Sequence, residues 1–406
     1  MSSSRSLSPK QMAWLLASSS AIMPFAIDTY LPAVPTMAHN LNVDSAAIQQ
    51  SLSIFLIGQA VGLLIGGTIS DIKGRKIIVL AGLLVFMLSS FALTQIDSIH
   101  QLLIMRFAQA IGAGMIASTG GAIVRDHYEG QQAAQMFALI GLIMMVAPLL
   151  APTIGSSLHA LFGWRSIFAF LGFYALLCFM LQWKFLPQAK ITPSTQQWQQ
   201  VAKEIVQRYQ RVFQTRPALG FLFAQAFSFA AMFCFLTESP FVYMQYFALS
   251  EHAYAYLFAL NLIAMISFNR ITAWRLKKGN PPHQILSWGL ALQIVANLSL
   301  LLLVCTTTQP PLALFITLVV ISVGTQGFIS ANTSACFMQY FKAEGGSANG
   351  VLLSCLALIG SLVGYITTQL HDGSLIIMPL MMTCCTLLGI ALLWAFSRQV
   401  WQKQTV

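Results

Sequence analysis

Charge is what this sequence lacks. Only 8% of its 406 residues are Asp, Glu, Lys or Arg, against about 25% in an ordinary soluble domain. That scarcity excludes a solvated globular chain, and a hydrophobic content of 57% with mean hydropathy +0.73 excludes it again. Acidic residues are the scarcest, 11 against 21 Lys and Arg. Histidine is sparse as well. None falls at the middle of an apolar run, His159 lying near one end, and H-E-x-x-H is absent. The metal ligands or nucleophile–base pair of an intramembrane enzyme are therefore missing. The seven cysteines (Cys178, Cys234, Cys305, Cys336, Cys355, Cys384 and Cys385) lie in apolar runs without metal-ligand spacing. They read as buried structural thiols and argue against a disulfide framework. No metal and no cofactor is expected. The first apolar run lacks a clear small-residue cleavage site and reads as an uncleaved first helix.

What the sequence has is long apolar runs. A spanning helix needs about 20 such residues. Twelve segments qualify, near 12–34, 47–70, 77–95, 99–124, 132–158, 165–186, 217–247, 252–274, 283–305, 310–337, 347–370 and 374–396. The expected fold is an all-α integral membrane protein with twelve transmembrane helices, embedded in the lipid bilayer. A net charge of +10 could suggest a nucleic-acid partner, but its distribution excludes one. With the N-terminus inside, only Arg165 falls on an outer loop, while Arg106 is intramembrane and Arg270 lies one turn short of a cytoplasmic end. That asymmetry predicts cytoplasmic N- and C-termini. The polar, basic stretch 184–216 divides the spans six and six and reads as a cytoplasmic linker on the membrane surface. The expected organisation is thus 1–183, linker 184–216, and 217–406.

The halves are weakly similar. Residues 114–119, Gly-Met-Ile-Ala-Ser-Thr, resemble 327–332, Gly-Phe-Ile-Ser-Ala-Asn. Two pseudo-symmetric six-helix halves point to a transporter whose substrate site lies between them near mid-membrane. Helix interruptions are frequent: Pro24, Pro32 and Pro35 in the first span, Pro148 and Pro152 in the fifth, Pro240 in the seventh. Gly58, Gly62, Gly66 and Gly67, and again Gly112, Gly114, Gly120 and Gly121, allow close backbone approach or bending.

Asp28 is a lone carboxylate inside the first run. A charge at that depth costs roughly 2.5–3.5 kcal/mol on insertion scales and marks an ion path, a proton relay or an internal ion pair. Counting from the outer ends of their spans, Asp28 and Arg106 sit roughly 9–11 Å deep. Equal depth permits a charge-assisted hydrogen bond, and two readings stay open: a proton carrier tuned by Arg106, or a static ion pair joining two helices. Glu238 is the other acidic residue inside a span. It reads either as a second proton or cation site, or as a solvated residue at the mouth.

One motif is distinctive. Gly67, Ser70, Asp71, Gly74, Arg75 and Lys76 stand in the spacing G-x-x-S-D-x-x-G-R-K between the second and third spans. Physically it is a tight turn, with Gly74 permitting unusual backbone and Asp71 free to pair with an arginine. The spacing resembles the signature loop of the major facilitator superfamily. Arg106, Gln109 and Gly112 resemble the fourth-helix R-x-x-Q-G/A-x-G pattern of its drug:proton antiporters. Asp28, Tyr30, Leu31, Pro32 and Pro35 resemble the D-x-Y-L-P-x-x-P pattern of the bicyclomycin/chloramphenicol-resistance branch. Residues 122–130, 239–243 and 331–332 resemble the same branch, so the likeness covers essentially the whole chain. Two departures stand out. The fifth-helix G-P-x-x-G-G pattern reads Ala151, Pro152, Gly155, Ser156, and the second-half loop around Arg275, Lys277 and Lys278 has no acidic residue.

The resemblance implies the major facilitator fold and a monomeric, bacterial inner-membrane exporter that exchanges a small drug-like substrate for protons. A proton-coupled transporter of one metabolite (sugar, amino acid or peptide) is the alternative. Proton coupling is expected at Asp28, Arg106 and Glu238, and substrate binding at Met23, Tyr30, Gln109, Met144, Met145, Phe235, Asn261 and Asn332. Gly67, Asp71, Gly74, Arg75, Arg125 and Asp126 would form a cytoplasmic gating latch, and Pro148, Pro152 and Gly155 a helix bend.

Overall fold

The computed structural model describes residues 9–128, 130–186, 207, 210–341 and 345–403. It is helical nearly throughout, with no strand among the described residues. Contacts divide the chain into two compact units, Met1–Ala202 and Lys203–Val406. Most of the expected linker, residues 187–206, lies outside the described residues.

The first predicted span is not one helix. It is broken into α1 (Pro9–Ser20), α2 (Ile22–Asp28), a 3-10 turn at Leu31–Ala33 and α3 (Val34–Leu41). The prolines account for the interruptions. Pro24, Pro32 and Pro35 have no N–H to donate to the carbonyls four residues back, those of Ser20, Asp28 and Leu31. Pro32 and Pro35 occupy the second positions of the turn and of α3, within the first turn, where a backbone N–H would lack an intrahelical partner. The chain tightens there, Ala33 N–H bonding to Tyr30 O at 2.9 Å. Among the described residues eleven helical segments are long and apolar enough to cross a membrane, and this broken run is not one of them.

The rest of the first unit is α4 (Ser45–Lys73), α5 (Arg75–Leu93), α6 (Ile99–His127), α7 (Gly130–Phe162) and α8 (Arg165–Phe185). Helices α4 and α6 meet along a glycine seam. A Cβ on Gly58 would stand 2.8 Å from that of Ala110, and one on Gly62 would collide with the Ile111 carbonyl. Gly67 is different: nothing lies within 4 Å of its missing side chain. Helix α7 runs unbroken through Pro148 and Pro152.

The second unit comprises α9 (Arg216–Pro240), a π-turn at Phe241–Tyr246, α10 (Glu251–Lys277), α11 (Pro282–Thr306), α12 (Leu312–Gly324), α13 (Gln326–Met338), α14 (Gly345–Leu370) and α15 (Ile377–Lys403). Helix α9 is central, packing on α13, α14 and α15. The internal likeness has a structural counterpart. Gly114 on α6 abuts α4, where its Cβ would stand 2.7 Å from Leu63 N. Gly327 on α13 abuts α10 in the same way, 2.6 Å from Asn269 N. Each matching glycine closes the matching helix pair of its own unit, the second on the fourth span and the eighth on the tenth.

Candidate functional site

Among the described residues Arg106 is the largest fully buried side chain, at 0% exposure. Lipid-depth burial of a guanidinium requires partners, and α6 aims it at several. Its Nη1 donates to Ala26 O at 2.9 Å and to Gln109 Oε1 at 2.7 Å. Its Cζ stands over two rings, 4.5 Å from the Tyr30 centroid and 4.5 Å from that of Phe55. A desolvated cation–π contact of this kind contributes about 2 kcal/mol. Gln109 is held in turn by Ser90, Nε2 donating to Oγ at 2.8 Å, and Tyr30 hydroxyl shares a 2.7 Å hydrogen bond with Ser51. One side chain thus ties α2, α4, α5 and α6 together. Its Nε and Nη2 find no acceptor.

Asp28 ends α2, 6% exposed, two residues from the carbonyl that Arg106 grips. The guanidinium reaches the backbone of that turn and not the carboxylate. The Asp28–Arg106 hydrogen bond that equal depth permits is not formed here; Arg106 bonds to Ala26 O and Gln109 Oε1 instead. Among the described residues Asp28 has no ion-pair partner. In this arrangement Nη1 of the arginine is engaged by Ala26 O and Gln109 Oε1, and no ion pair joins it to Asp28.

Gly155 explains why the break beside Asp28 can exist. A Cβ there would collide with the Thr29 carbonyl oxygen and stand 2.8 Å from its carbon. The glycine lets α7 press against the interrupted backbone next to Asp28. Met23 accepts a hydrogen bond from Gln59 Nε2 at 3.0 Å, and Met144 is 36% exposed. Tyr30 and Gln109 are wholly buried, as partners of Arg106. The side chain of Met145 lies outside the described residues.

The signature spacing falls on the turn between α4 and α5. Gly74 adopts φ +93° between α4 and α5, a conformation that favours glycine. Arg75 Nε contacts Asp126 Oδ2 at 3.1 Å, joining the start of α5 to the end of α6, and Nη1 donates to Ser70 Oγ at 2.5 Å. The Asp71 and Arg125 side chains lie outside the described residues.

In the second unit Glu238 is 1% exposed, so it is not a solvated residue at a mouth. Its Oε2 lies 2.9 Å from Nδ1 of His371, just past the end of α14. Phe235 packs edge-on to Tyr243 at 6.3 Å, within the core. Asn261 and Asn332 are buried and donate to their own helices, to Leu257 O at 2.9 Å and Phe328 O at 2.7 Å. Both leave Oδ1 without a partner.

Sequence reasoning missed His371 and a buried polar spine. Ser228 donates to Gln293 Oε1 at 2.9 Å, and Gln326 Nε2 donates to Ser228 Oγ at 2.8 Å. Asn297 accepts from Ser322 at 2.5 Å and donates to Thr386 at 2.9 Å. Glutamine or asparagine at 293, 297 and 326 inside apolar runs was the available signal. A cavity of about 160 Å³ beside His283, Cys336 and Tyr340 includes none of the expected substrate residues.

A chain of spanning helices in two similar halves, with a buried carboxylate and a buried guanidinium at one interrupted helix, defines a multi-pass membrane transporter rather than an enzyme. Residues 16–365 match the family described as Major Facilitator Superfamily. The chain belongs to that superfamily. It is 27% identical over 373 residues to the bicyclomycin resistance protein homolog of Haemophilus influenzae, covering 91% of this chain and 92% of that one. It is 26% identical to the chloramphenicol resistance protein of Pseudomonas aeruginosa, covering 95% and 92%. These relatives are of the bicyclomycin/chloramphenicol-resistance branch. In fold it is similar to the xylose transporter XylE from E. coli, at TM-score 0.71 and 14% identity, covering 96% and 97%.

Proposed function

We propose that this protein is a secondary active exporter that moves drugs or other small amphipathic compounds across the bacterial inner membrane in exchange for protons, by alternating access. Its termini face the cytoplasm, and it acts as a monomer. The observation that carries this reading is Asp28: a buried carboxylate at a helix break, with no ion-pair partner among the described residues. A group that is not locked in a salt bridge can take and release a proton without first breaking one. Arg106 sets the geometry of the break by holding Ala26 O, and so acts as a positioning residue. Tyr30, Met23, Gln109, Met144 and Met145 in the first unit, with Phe235, Asn261 and Asn332 in the second, are assigned to substrate binding. Methionine and aromatic surfaces re-pack around varied apolar molecules. Gly67, Asp71, Gly74, Arg75, Arg125 and Asp126 are assigned to the cytoplasmic latch, with the Arg75–Asp126 contact supporting it. Pro148, Pro152 and Gly155 are assigned as the point at which α7, continuous through them here, would flex.

The energetics suffice. One charge crossing 100 mV releases about 2.3 kcal/mol. At about 1.4 kcal/mol per factor of ten, that sustains a roughly fifty-fold gradient of a neutral drug. The test is transport in proteoliposomes under an imposed pH gradient. Gradient-driven uptake of chloramphenicol, suppressed by chemically unrelated amphipathic compounds, is the expected result. Saturable transport of a single polar metabolite with no drug competition would overturn it in favour of the metabolite reading.

A further inference from the structure

Glu238 and His371 are separated by 133 residues, yet their side chains meet at 2.9 Å. The carboxylate is 1% exposed and the imidazole 14%. Carboxylate Oε1 has no partner, so one oxygen is held and the other is buried and unspent. The helix beneath gives way here too. After Pro240 the chain leaves α-geometry for the π-turn at Phe241–Tyr246, a device often found at functional sites. The Phe241 ring stands edge-on to the imidazole at 4.5 Å, closing one side of the pair. On the other side His371 leads directly into exposed loop residues, Asp372 among them. On the topology proposed above, this is the outer face. The pair therefore couples a dry carboxylate to a partly exposed imidazole at the edge of that loop.

We infer that Glu238 and His371 form a second proton-binding site, which adds one proton to each transport cycle. A carboxylate hydrogen-bonded to a neutral imidazole carries a net charge of −1. One proton taken from the outer water onto the imidazole makes it a neutral ion pair, and its release on the return step restores the charge. A hydrogen bond across the 2.9 Å contact is available to both states, so binding and releasing a proton does not require dismantling the packing of α9 on α14. Histidine suits this role because its charge changes between roughly pH 5 and 8. The ionisable groups on the surrounding elements are few. Tyr243 lies in the π-turn and Tyr254 on α10, the latter bonded to Ser239 at 3.0 Å. Glu251 and His252 open α10, Cys234 lies one turn down α9 beside Thr367, and Asp372 receives the Ser374 N–H at 2.8 Å.

This inference rests on the proton-coupled reading, and the experiment separates the two. Proteoliposomes are loaded with chloramphenicol at varied ratios, the membrane potential is clamped at zero with potassium and valinomycin, and the drug gradient that stops net flux is found for a pH difference of one unit. Each coupled proton contributes about a factor of ten. Two protons predict a null gradient of about 100-fold for the wild type and about tenfold for Glu238→Gln and for His371→Gln, whose amides retain hydrogen bonding but do not titrate. A wild-type gradient of about tenfold, or variants that keep the wild-type value, overturns the second site and leaves Asp28 as carrier. A wild-type flux indifferent to the pH difference overturns both readings. A second measurement needs no drug. In protein labelled with ¹⁵N-histidine, the His371 resonances should show a change of protonation as pH is varied, and lose it in Glu238→Gln or shift it in pH; resonances that titrate identically in the two proteins would overturn the site.

Discussion

Gly155→Ala isolates the contact that holds the broken first span in place. The new methyl would overlap the Thr29 carbonyl oxygen and stand 2.8 Å from Thr29 C and 3.2 Å from Thr29 Cγ2. Two of the three obstructing atoms are backbone, so no rotamer change relieves them. Thr29 is also tied down, its hydroxyl donating to Phe25 O at 2.6 Å. The helix pair must separate or the break beside Asp28 must shift. Overpacking of this kind costs about 1–3 kcal/mol, a factor of roughly 5 to 150 in the folded population. Gly141→Ala is the control on the same helix. Nothing lies within 4 Å of its Cβ position, and alanine there is neutral or stabilising by up to about 1 kcal/mol. Thermal unfolding in detergent, followed with a thiol-reactive dye that reports buried cysteines, measures both. Gly155→Ala should melt clearly below the wild type and lose drug transport, whereas Gly141→Ala should do neither. Equal behaviour of the two variants would refute the proposed role of the Gly155–Thr29 contact.

Three further outcomes follow from the same geometry. Arg106→Lys keeps the charge but cannot hold Ala26 O, Gln109 Oε1 and both ring faces at once, so thermal unfolding should register a loss of about 1.5–3 kcal/mol. Asn297→Leu cuts the link between Ser322 and Thr386; interhelical hydrogen bonds in membranes contribute about 0.6–1.7 kcal/mol, and a loss in that range is expected in the same assay. Asp126→Asn should leave stability within about 1 kcal/mol of wild type, because its partner Arg75 is a surface pair, yet alter cytoplasmic labelling of engineered cysteines if the contact works as a latch.

Short-range chemistry was the readable part of this sequence. The helices followed from apolar length, the α4–α5 turn from Gly74, and the α4–α6 seam from Gly58 and Gly62. The interruption of the first span was present in Pro24, Pro32 and Pro35, but the apolar run around them reads as one helix when hydropathy is weighed before missing N–H donors. Depth counting placed Arg106 beside the Asp28 turn correctly. It could not choose between a carbonyl and a carboxylate two residues apart, a choice made by side-chain direction. The two readings of Glu238 stayed open for a different reason: its partner lies 133 residues away, beyond any periodicity. The polar spine of Gln293, Asn297 and Gln326 shares that limit, since each residue is unremarkable until neighbouring helices supply its partner.

The claim at the centre is that Asp28 carries a transported proton, and the null-flux drug gradient of Asp28→Asn tests it most directly. Under a pH difference of one unit with the membrane potential clamped, removing one coupled proton lowers the sustained gradient by at least about tenfold relative to wild type, while drug exchange at equal pH continues. An Asp28→Asn protein that sustains the wild-type gradient would contradict the assignment.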